Sequence, residues 1–425
     1  MEHQHRRHSR WYERVLFNFW FQLICGMMLV GILPSILIWP KVLHFDAYYI
    51  TPTRFYTTSA NIFAFFLSFL MYKKIQKFPD ARSIIYLLPS VTIAWLVIIG
   101  IIIVFKLEYS RTVLFLAYMF ANVWTVIGYV LGRKYYCLKL AIVPFGDIGE
   151  IQRFRNVDSR TLETPHLGST RFDAVVADLR ADMPDEWARF LGNCAIAGIP
   201  VYHSRQMLEQ FTGRVKIKHL SENVFGTLQP SAFYGIIKRC IDIIAVILLL
   251  PIVLLILIIV GILIKLDSKG PVFYIQKRIG YKNKVFKMYK LRSMRIDLAG
   301  KGFTEQGEDP RITRIGKVIR KYRIDELPQL LNVLKGDMSF IGPRPESLDL
   351  SVWYEKEVPF FSYRHIVRPG ISGWAQVTQG YAAEVEGMTT KLQYDFYYIK
   401  HFSFWLDVLI VFKTIKTMLT GFGAR

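Results

Sequence analysis

Clustered cysteine is missing from this sequence. Cys25, Cys137, Cys194 and Cys240 stand far apart, in neither a Cys-x-x-Cys pair nor a Cys/His group with metal-ligand spacing. A disulfide framework and a zinc site are therefore not indicated, and the soluble parts read as belonging to a reducing compartment. Acidic residues are scarce as well: 33 Asp plus Glu face 54 Lys plus Arg, a formal net charge of +21. That excess leaves three partner classes, namely nucleic acid, an anionic membrane surface and a phosphate-rich substrate. Charge is wholly absent where hydrophobicity is densest. Four apolar segments, about Val15 to Ile38, Phe55 to Tyr72, Ile84 to Phe105 and Val113 to Leu131, contain no Asp, Glu, Lys, Arg or His. Coupled transport usually needs buried charge within the spans, so their absence argues against a transporter.

What is present is hydrophobic material, 52% of the chain. Each of the four segments has the roughly 17 to 25 residues that a helix needs to cross a bilayer. The first is too long for the apolar region of a cleavable signal and has no small-residue cleavage site, so it is expected to be retained. Lys and Arg stay on the cytoplasmic side. Arg6, Arg7, Arg10 and Arg14 precede the first span, Lys73, Lys74, Lys77 and Arg82 follow the second, and Arg133, Lys134 and Lys139 follow the fourth. The other two loops carry only Lys41 with Arg54 and Lys106 with Arg111. Both ends of the bundle are thus expected in the cytoplasm.

From about Leu140 the texture changes to "LAIVPFGDIGE", "FDAVVADL" and "PDEWARFLGNCAIAGIPVYHS". This reads as strand, strand, helix, strand in a small α/β domain with parallel pairing. Its Gly146-Asp147-Ile148-Gly149 turn lacks the GxGxxG spacing of a dinucleotide site, which favours a regulatory or scaffold role. A fifth apolar run, Ile241 to Lys265, has Pro251 at its middle, so a kinked span and a re-entrant hairpin are both open. Residues 265–344 hold 19 Lys plus Arg against 8 Asp plus Glu, a net +11. Carrying such a segment across the membrane opposes the positive-inside bias, which favours the hairpin broken at Pro251.

The basic segment interleaves its charges with Phe, Tyr, Met and Ile in "RIGYKNKVFKMYKLRSMRID" and "DPRITRIGKVIRKYRIDELPQ". That pattern suits a folded cationic cleft for a diphosphate rather than a nucleic-acid-binding tail. Two acids stand together there, Asp325 and Glu326. With Pro328 following, they read either as a helix N-cap with a first-turn Glu or as a nucleophile held ionised by a helix dipole. The C-terminal "KLQYDFYYIKHFSFWLDVLIVFKTIKTML" is amphipathic and aromatic. It suits a helix in the headgroup plane with snorkelling Lys391, Lys400, Lys413 and Lys416, or an internal core helix.

Three stretches, "KLRSM" (290–294), "DPRITRIGKVIRKYRIDELPQLLNVLKGDMSFIGPRP" (309–345) and "RPGISGWAQV" (368–377), resemble the bacterial sugar transferases, monotopic polyprenyl-phosphate phosphoglycosyl transferases. The resemblance covers about residues 231–425, and the N-terminal part is similar to the large members that begin exopolysaccharide or O-antigen units. It implies a membrane protein of α and α/β class. Residues 1–135 would form a four-helix transmembrane bundle, 136–230 a Rossmann-like α/β domain, and 231–425 a monotopic catalytic domain with a re-entrant helix-break-helix at about 238–265 hinged at Pro251. Many small members have serine before that proline; this chain has Leu250.

The implied reaction moves a sugar-1-phosphate from a UDP-sugar, galactose or glucose first and an N-acetyl amino sugar as the alternative, to undecaprenyl phosphate with release of UMP. By the resemblance Asp325 is the nucleophile, forming a covalent phosphosugar intermediate, and Glu326 supports the metal and the acceptor step. Both carboxylates are expected to serve Mg²⁺, while Lys290, Arg292, Arg311, Arg320 and Arg344 are expected to neutralise substrate phosphates. Membrane lipids and a homodimer partner are implied, nucleic acid is not, and the place is the cytoplasmic face of a bacterial inner membrane.

Overall fold

The computed structural model describes residues 15–16, 18–39, 51–79, 81, 83–135, 137–149, 151, 154, 157–168, 172–216, 229–295, 311–379 and 385–420. Arg6, Arg7, Arg10, Arg14, Lys41 and Arg82 lie outside the described residues. Two compact units divide the chain, 1–212 and 213–425.

Four apolar helices open the first unit: α1 (Phe19–Ile38), α2 (Pro52–Ile75), α3 (Ile84–Val104) and α4 (Arg111–Tyr135). All four are long and apolar enough to cross a membrane. They share one core in which Leu23 and Val30, Ala64 and Phe65, Leu87 and Trp95, and Ala117 and Ala121 meet. Small residues let the backbones close in. Gly26 and Gly31 of α1 sit so tightly against Phe65 and Ile62 of α2 that a Cβ on either would lie under 2.5 Å from a neighbouring side chain.

Four strands follow: β1 (Leu138–Ile142), β2 (Val157–Thr161), β3 (Ala174–Ala177) and β4 (Val201–His203), all parallel, in the order β2-β1-β3-β4. α5 (Asp185–Ile196) connects β3 to β4, and α6 (Ser204–Thr212) follows. The sequence reading has three strands; β2, "VDSRT", is a half-exposed edge strand with no apolar run to betray it. At the strands' carboxyl end the Asp178 carboxylate accepts the amides of Asp147, at 3.1 Å, and Arg180, at 3.2 Å. A phosphate approaching the Gly146 turn would meet that carboxylate.

The second unit is built on α7 (Ala232–Asp267), which continues as one helix of 36 residues with Pro251 inside it, where a break between two helices was expected. Pro251 removes one hydrogen bond, but helical residues persist on both sides. One flank of α7 belongs to the core of this unit: Val246 and Val253 pack with Phe286, Met288, Leu330 and Val333, and Val260 and Ile264 with Leu291 and Ile319. The other flank, including Ile244, Ile247, Leu248, Leu255 and Ile259, is exposed and apolar. Both ends are tied down. Lys238 and Tyr234 each bond Asp407 at 2.6 Å, and at the far end Asp267 accepts the Ile315 amide at 3.1 Å.

Around α7 lie the antiparallel hairpin β5 (Phe273–Ile279) and β6 (Val285–Leu291), then α8 (Arg314–Lys321) and α9 (Gln329–Lys335). The short strand β7 (Ser339–Ile341), α10 (Leu348–Glu357), β8 (Gly370–Ser372), α11 (Trp374–Thr378), α12 (Val385–Lys400) and α13 (Phe404–Thr420) complete it. β7 and β8 pair in parallel so closely that a Cβ on Gly370 would come within 2.1 Å of the Gly342 amide. Of the two readings of the C-terminal stretch, α12 has the core helix, with Lys391, Leu392, Phe396, Tyr397 and Ile399 buried, whereas α13 buries Leu406, Leu409 and Ile410 and leaves Phe404, Val411, Ile415 and Met418 exposed.

Candidate active site

Three pieces converge. A turn between α8 and α9 carries Asp325 and Glu326, β6 carries Lys290, and the Pro343-Arg344-Pro345 segment after β7 carries Arg344. Arg323 is left-handed (φ 55°, ψ 26°) and turns the chain after α8, and Ile324–Glu326 form a 3-10 turn. Asp325 is therefore not the N-cap of α9, which begins at Gln329 with Pro328 in the cap position. The bonding here is of 3-10 type: Leu327, Leu330 and Leu331 bond back three residues, to Ile324, Leu327 and Pro328.

The two acids are held differently. Glu326 is 6% exposed, with Oε1 at 2.7 Å from Arg344 and 3.8 Å from Lys290 and Oε2 at 3.7 Å from Arg323. Burial alone would raise its carboxyl, but Arg344, Lys290 and Arg323 outweigh it and hold the group at about 2. Asp325 makes no hydrogen bond or ion pair with the described residues. Burial, reinforced by Glu326, pushes its carboxyl up, against the pull of Lys290, Arg320 and Arg344. The dipole-stabilised anion expected at a helix start is thus replaced by a half-buried carboxyl that waits for a cation.

Arg344 owes its position to its flanking backbone. Gly370 donates to the Pro343 carbonyl at 3.0 Å, Arg364 to that of Arg344 at 2.9 Å, and Arg278 to that of Pro345 at 3.0 Å. Arg364 is 1% exposed and also pairs with Asp395 at 2.8 Å and Glu346 at 3.5 Å; Lys391 completes the buried network on Glu346. β6 is fixed against α9 by Asn332, which accepts the Tyr289 amide at 3.1 Å and donates to the Lys287 carbonyl at 2.7 Å. That staple sets Lys290 beside the dyad.

Of the residues expected to neutralise phosphate, the structure brings Lys290, Arg320 and Arg344 to the dyad and leaves Arg292 elsewhere. The Arg292 guanidinium donates to the Ser268 carbonyl at 2.7 Å and the Lys269 carbonyl at 2.8 Å, closing the C-terminal end of α7. Alternation along a strand would keep Lys290 and Arg292 on one face, but β6 ends at Leu291, between them, and that relation is lost. Arg311 sits beside residues 296–310, outside the described residues, with its carbonyl accepting from the Arg295 amide at 2.8 Å. Arg278 and Arg323 were missed. Arg323 was findable, two residues before Asp325, whereas Arg278, Arg364, Glu346 and Lys391 meet only through tertiary packing.

Lys290 has a titration of its own. Burial, aided by Arg344, lowers its ammonium to about 8 despite Glu326 and Asp325. A lowered Lys loses its proton as pH rises through that value, so a phosphate-holding charge is present below about 8 and lost above it. kcat/KM, which reports the free enzyme, is expected to fall on the alkaline side of about pH 8. In Lys290→Arg, whose guanidinium stays charged, that limb should move upward; an unmoved limb would assign it to another group.

Among the described residues no group of three His, Cys, Asp or Glu could hold a metal. Magnesium, however, usually takes one or two carboxylates together with substrate phosphates and water. Asp325, with its oxygens uncommitted, fits that role. Glu326 does not fit in this arrangement, because three cations already engage it.

The family model for the bacterial sugar transferases matches residues 233–421. Over 425 residues the chain is 49% identical to the UDP-N-acetylgalactosamine-undecaprenyl-phosphate N-acetylgalactosaminephosphotransferase of Aeromonas hydrophila, covering 99% of each. It is 38% identical over 231 residues to the UDP-glucose:undecaprenyl-phosphate glucose-1-phosphate transferase of Escherichia coli K12, 52% of this chain and 48% of that one. It is 41% identical over 192 residues to an exopolysaccharide production protein of Rhizobium leguminosarum, 44% of this chain and 96% of the relative. A match of that identity along the whole chain, over a site where the motif's acids and cations meet, makes this membrane protein a member of the bacterial sugar transferase family.

Proposed function

We propose that the protein transfers a sugar-1-phosphate from a UDP-sugar to undecaprenyl phosphate, releasing UMP, as the first membrane step of exopolysaccharide, capsule or O-antigen assembly. The carrying observation is the division of labour in the dyad: Glu326 is engaged by three cations, while Asp325 has no hydrogen bond or ion pair among the described residues. An Asp325 oxygen attacks the sugar-bearing phosphorus, the P–O bond to the UMP phosphate breaks, and UMP leaves with that electron pair. An oxygen of the acceptor phosphate then attacks the same phosphorus and returns the carboxylate. Arg344 and Lys290, oriented by Glu326, offset charge on the diphosphate, with Arg320 on the Asp325 side. Bound at Asp325, Mg²⁺ would add charge neutralisation of the phosphate oxygens.

The four helices of the first unit are proposed as a transmembrane bundle in a bacterial inner membrane, with the catalytic unit on the cytoplasmic face. For α7 we favour re-entry, with the helix bending at Pro251, where one backbone hydrogen bond is lost. A straight run from Arg239 to Asp267 would measure about 42 Å, beyond the roughly 30 Å hydrocarbon core. Arg239 donates to the Leu334 carbonyl at 2.9 Å and Asp267 caps α8, so both ends hold the same folded unit. A full crossing would draw α9 and the dyad into hydrocarbon.

For the sugar, the relative that matches end to end is named for N-acetylgalactosamine, whereas those named for glucose match partially. That favours the amino-sugar alternative. Purified protein in nanodiscs with undecaprenyl phosphate, Mg²⁺ and a panel of UDP-sugars is expected to release UMP and form lipid-linked product with UDP-N-acetylgalactosamine. Turnover with UDP-glucose alone would restore the hexose reading, and no UMP from any donor would overturn the reaction.

A further inference from the structure

A groove of about 560 Å³ runs between α7 and the turn that carries the dyad. Its α7 wall extends from Leu250 to Leu266, about 24 Å of helix. The facing wall includes Leu327, Pro328, Leu330 and Leu331. Among the described residues its only charged lining residue is Lys265, near the helix's C-terminal end. Volume and apolarity are those of a ligand site, and the length exceeds the roughly 15 Å depth of one leaflet's hydrocarbon. Leu327 and Pro328 directly follow Glu326, so one turn carries both the nucleophile and the groove wall. The rest of α7's apolar surface, including Leu248 and Leu255, is open to bulk lipid.

We infer that this groove holds the isoprenoid chain of the lipid acceptor, guiding its phosphate to Asp325. The assignment rests on the proposed transfer to undecaprenyl phosphate. It commits to one occupant because the Leu327–Pro328 wall is the chain that directly follows the dyad, a placement suited to a lipid whose phosphate must reach the carboxylate. A structural acyl chain needs no such connection. The chain would enter along α7 in the plane of the leaflet while the sugar nucleotide arrives from water, so the two substrates reach one phosphorus from different phases.

The test fills the groove from both walls, with Leu331→Trp and Leu254→Trp in the full-length protein in nanodiscs; both residues are exposed enough to accept the larger ring. Leu248→Trp, on the open flank, is the control. Single-turnover UMP release without acceptor reports donor chemistry, and steady-state turnover reports the KM for undecaprenyl phosphate. Both groove variants are expected to raise that KM by about tenfold or more, equivalent to about 1.4 kcal/mol, with UMP release retained and Leu248→Trp unchanged. An unaltered KM in both groove variants, or an equal rise in Leu248→Trp, would overturn the assignment. Failure of the unsubstituted protein to release UMP would instead strike the proposed reaction, which keeps the two failures apart.

Discussion

Asp325→Asn is expected to abolish UMP release and sugar-phosphate transfer, by roughly 10⁴-fold or more, as removal of a covalent nucleophile does elsewhere. The protein should fold normally. Asp325 forms no hydrogen bond or ion pair with the described residues, and burial already disfavours its charge, so a neutral isostere removes no contact that the fold uses. The same variant should fail to retain label from a UDP-sugar carrying ³²P on the sugar-bearing phosphate. Labelled protein, or UMP release near the parent rate, would show that another group attacks phosphorus. Because burial and Glu326 push Asp325 upward, the parent's activity should also decline on acidification above the ordinary carboxylate range, as the nucleophile takes up its proton.

Arg344→Ala should cost both function and stability. Removing the guanidinium proposed to face the substrate phosphates is expected to lower turnover by about 10²–10³-fold, the usual effect of losing one transition-state donor. It also leaves the buried Glu326 with only the more distant Lys290 and Arg323. Breaking a buried pair costs about 3–5 kcal/mol, and the partial exposure of Arg344 places the expected loss near 3 kcal/mol. Adding Glu326→Gln should recover much of that stability and none of the activity. A thermal-denaturation cycle on the two single variants and the double variant separates the terms. Additive losses of stability would show that the two side chains do not support one another.

Much of the fold was open to inspection in the sequence, because its strongest signals are long. The four N-terminal helices fall within a few residues of the apolar runs, and the motif residues Asp325, Glu326, Lys290 and Arg344 do gather. What escaped was decided by short-range geometry or by distance along the chain. The left-handed Arg323 and the 3-10 turn after it took Asp325 out of the cap position. Arg292 lies two positions from Lys290, yet it closes α7 because the β6 strand ends between them. The Glu346, Arg364, Lys391 and Asp395 network joins residues from separate elements, and no local pattern marks a buried ion cluster.

The two flanks of α7 have a practical corollary. Since Val246, Val253, Val260 and Ile264 are interior residues of the catalytic unit, this segment cannot be deleted as a detachable tether. Trimming it to obtain a water-soluble enzyme would open the core that carries α9 and, with it, the dyad. A soluble version must keep the inner stripe and recode only the outward one, at Ile244, Ile247, Leu248, Leu255 and Ile259. In this protein the greasy helix is a piece of the enzyme's inside worn on its outside.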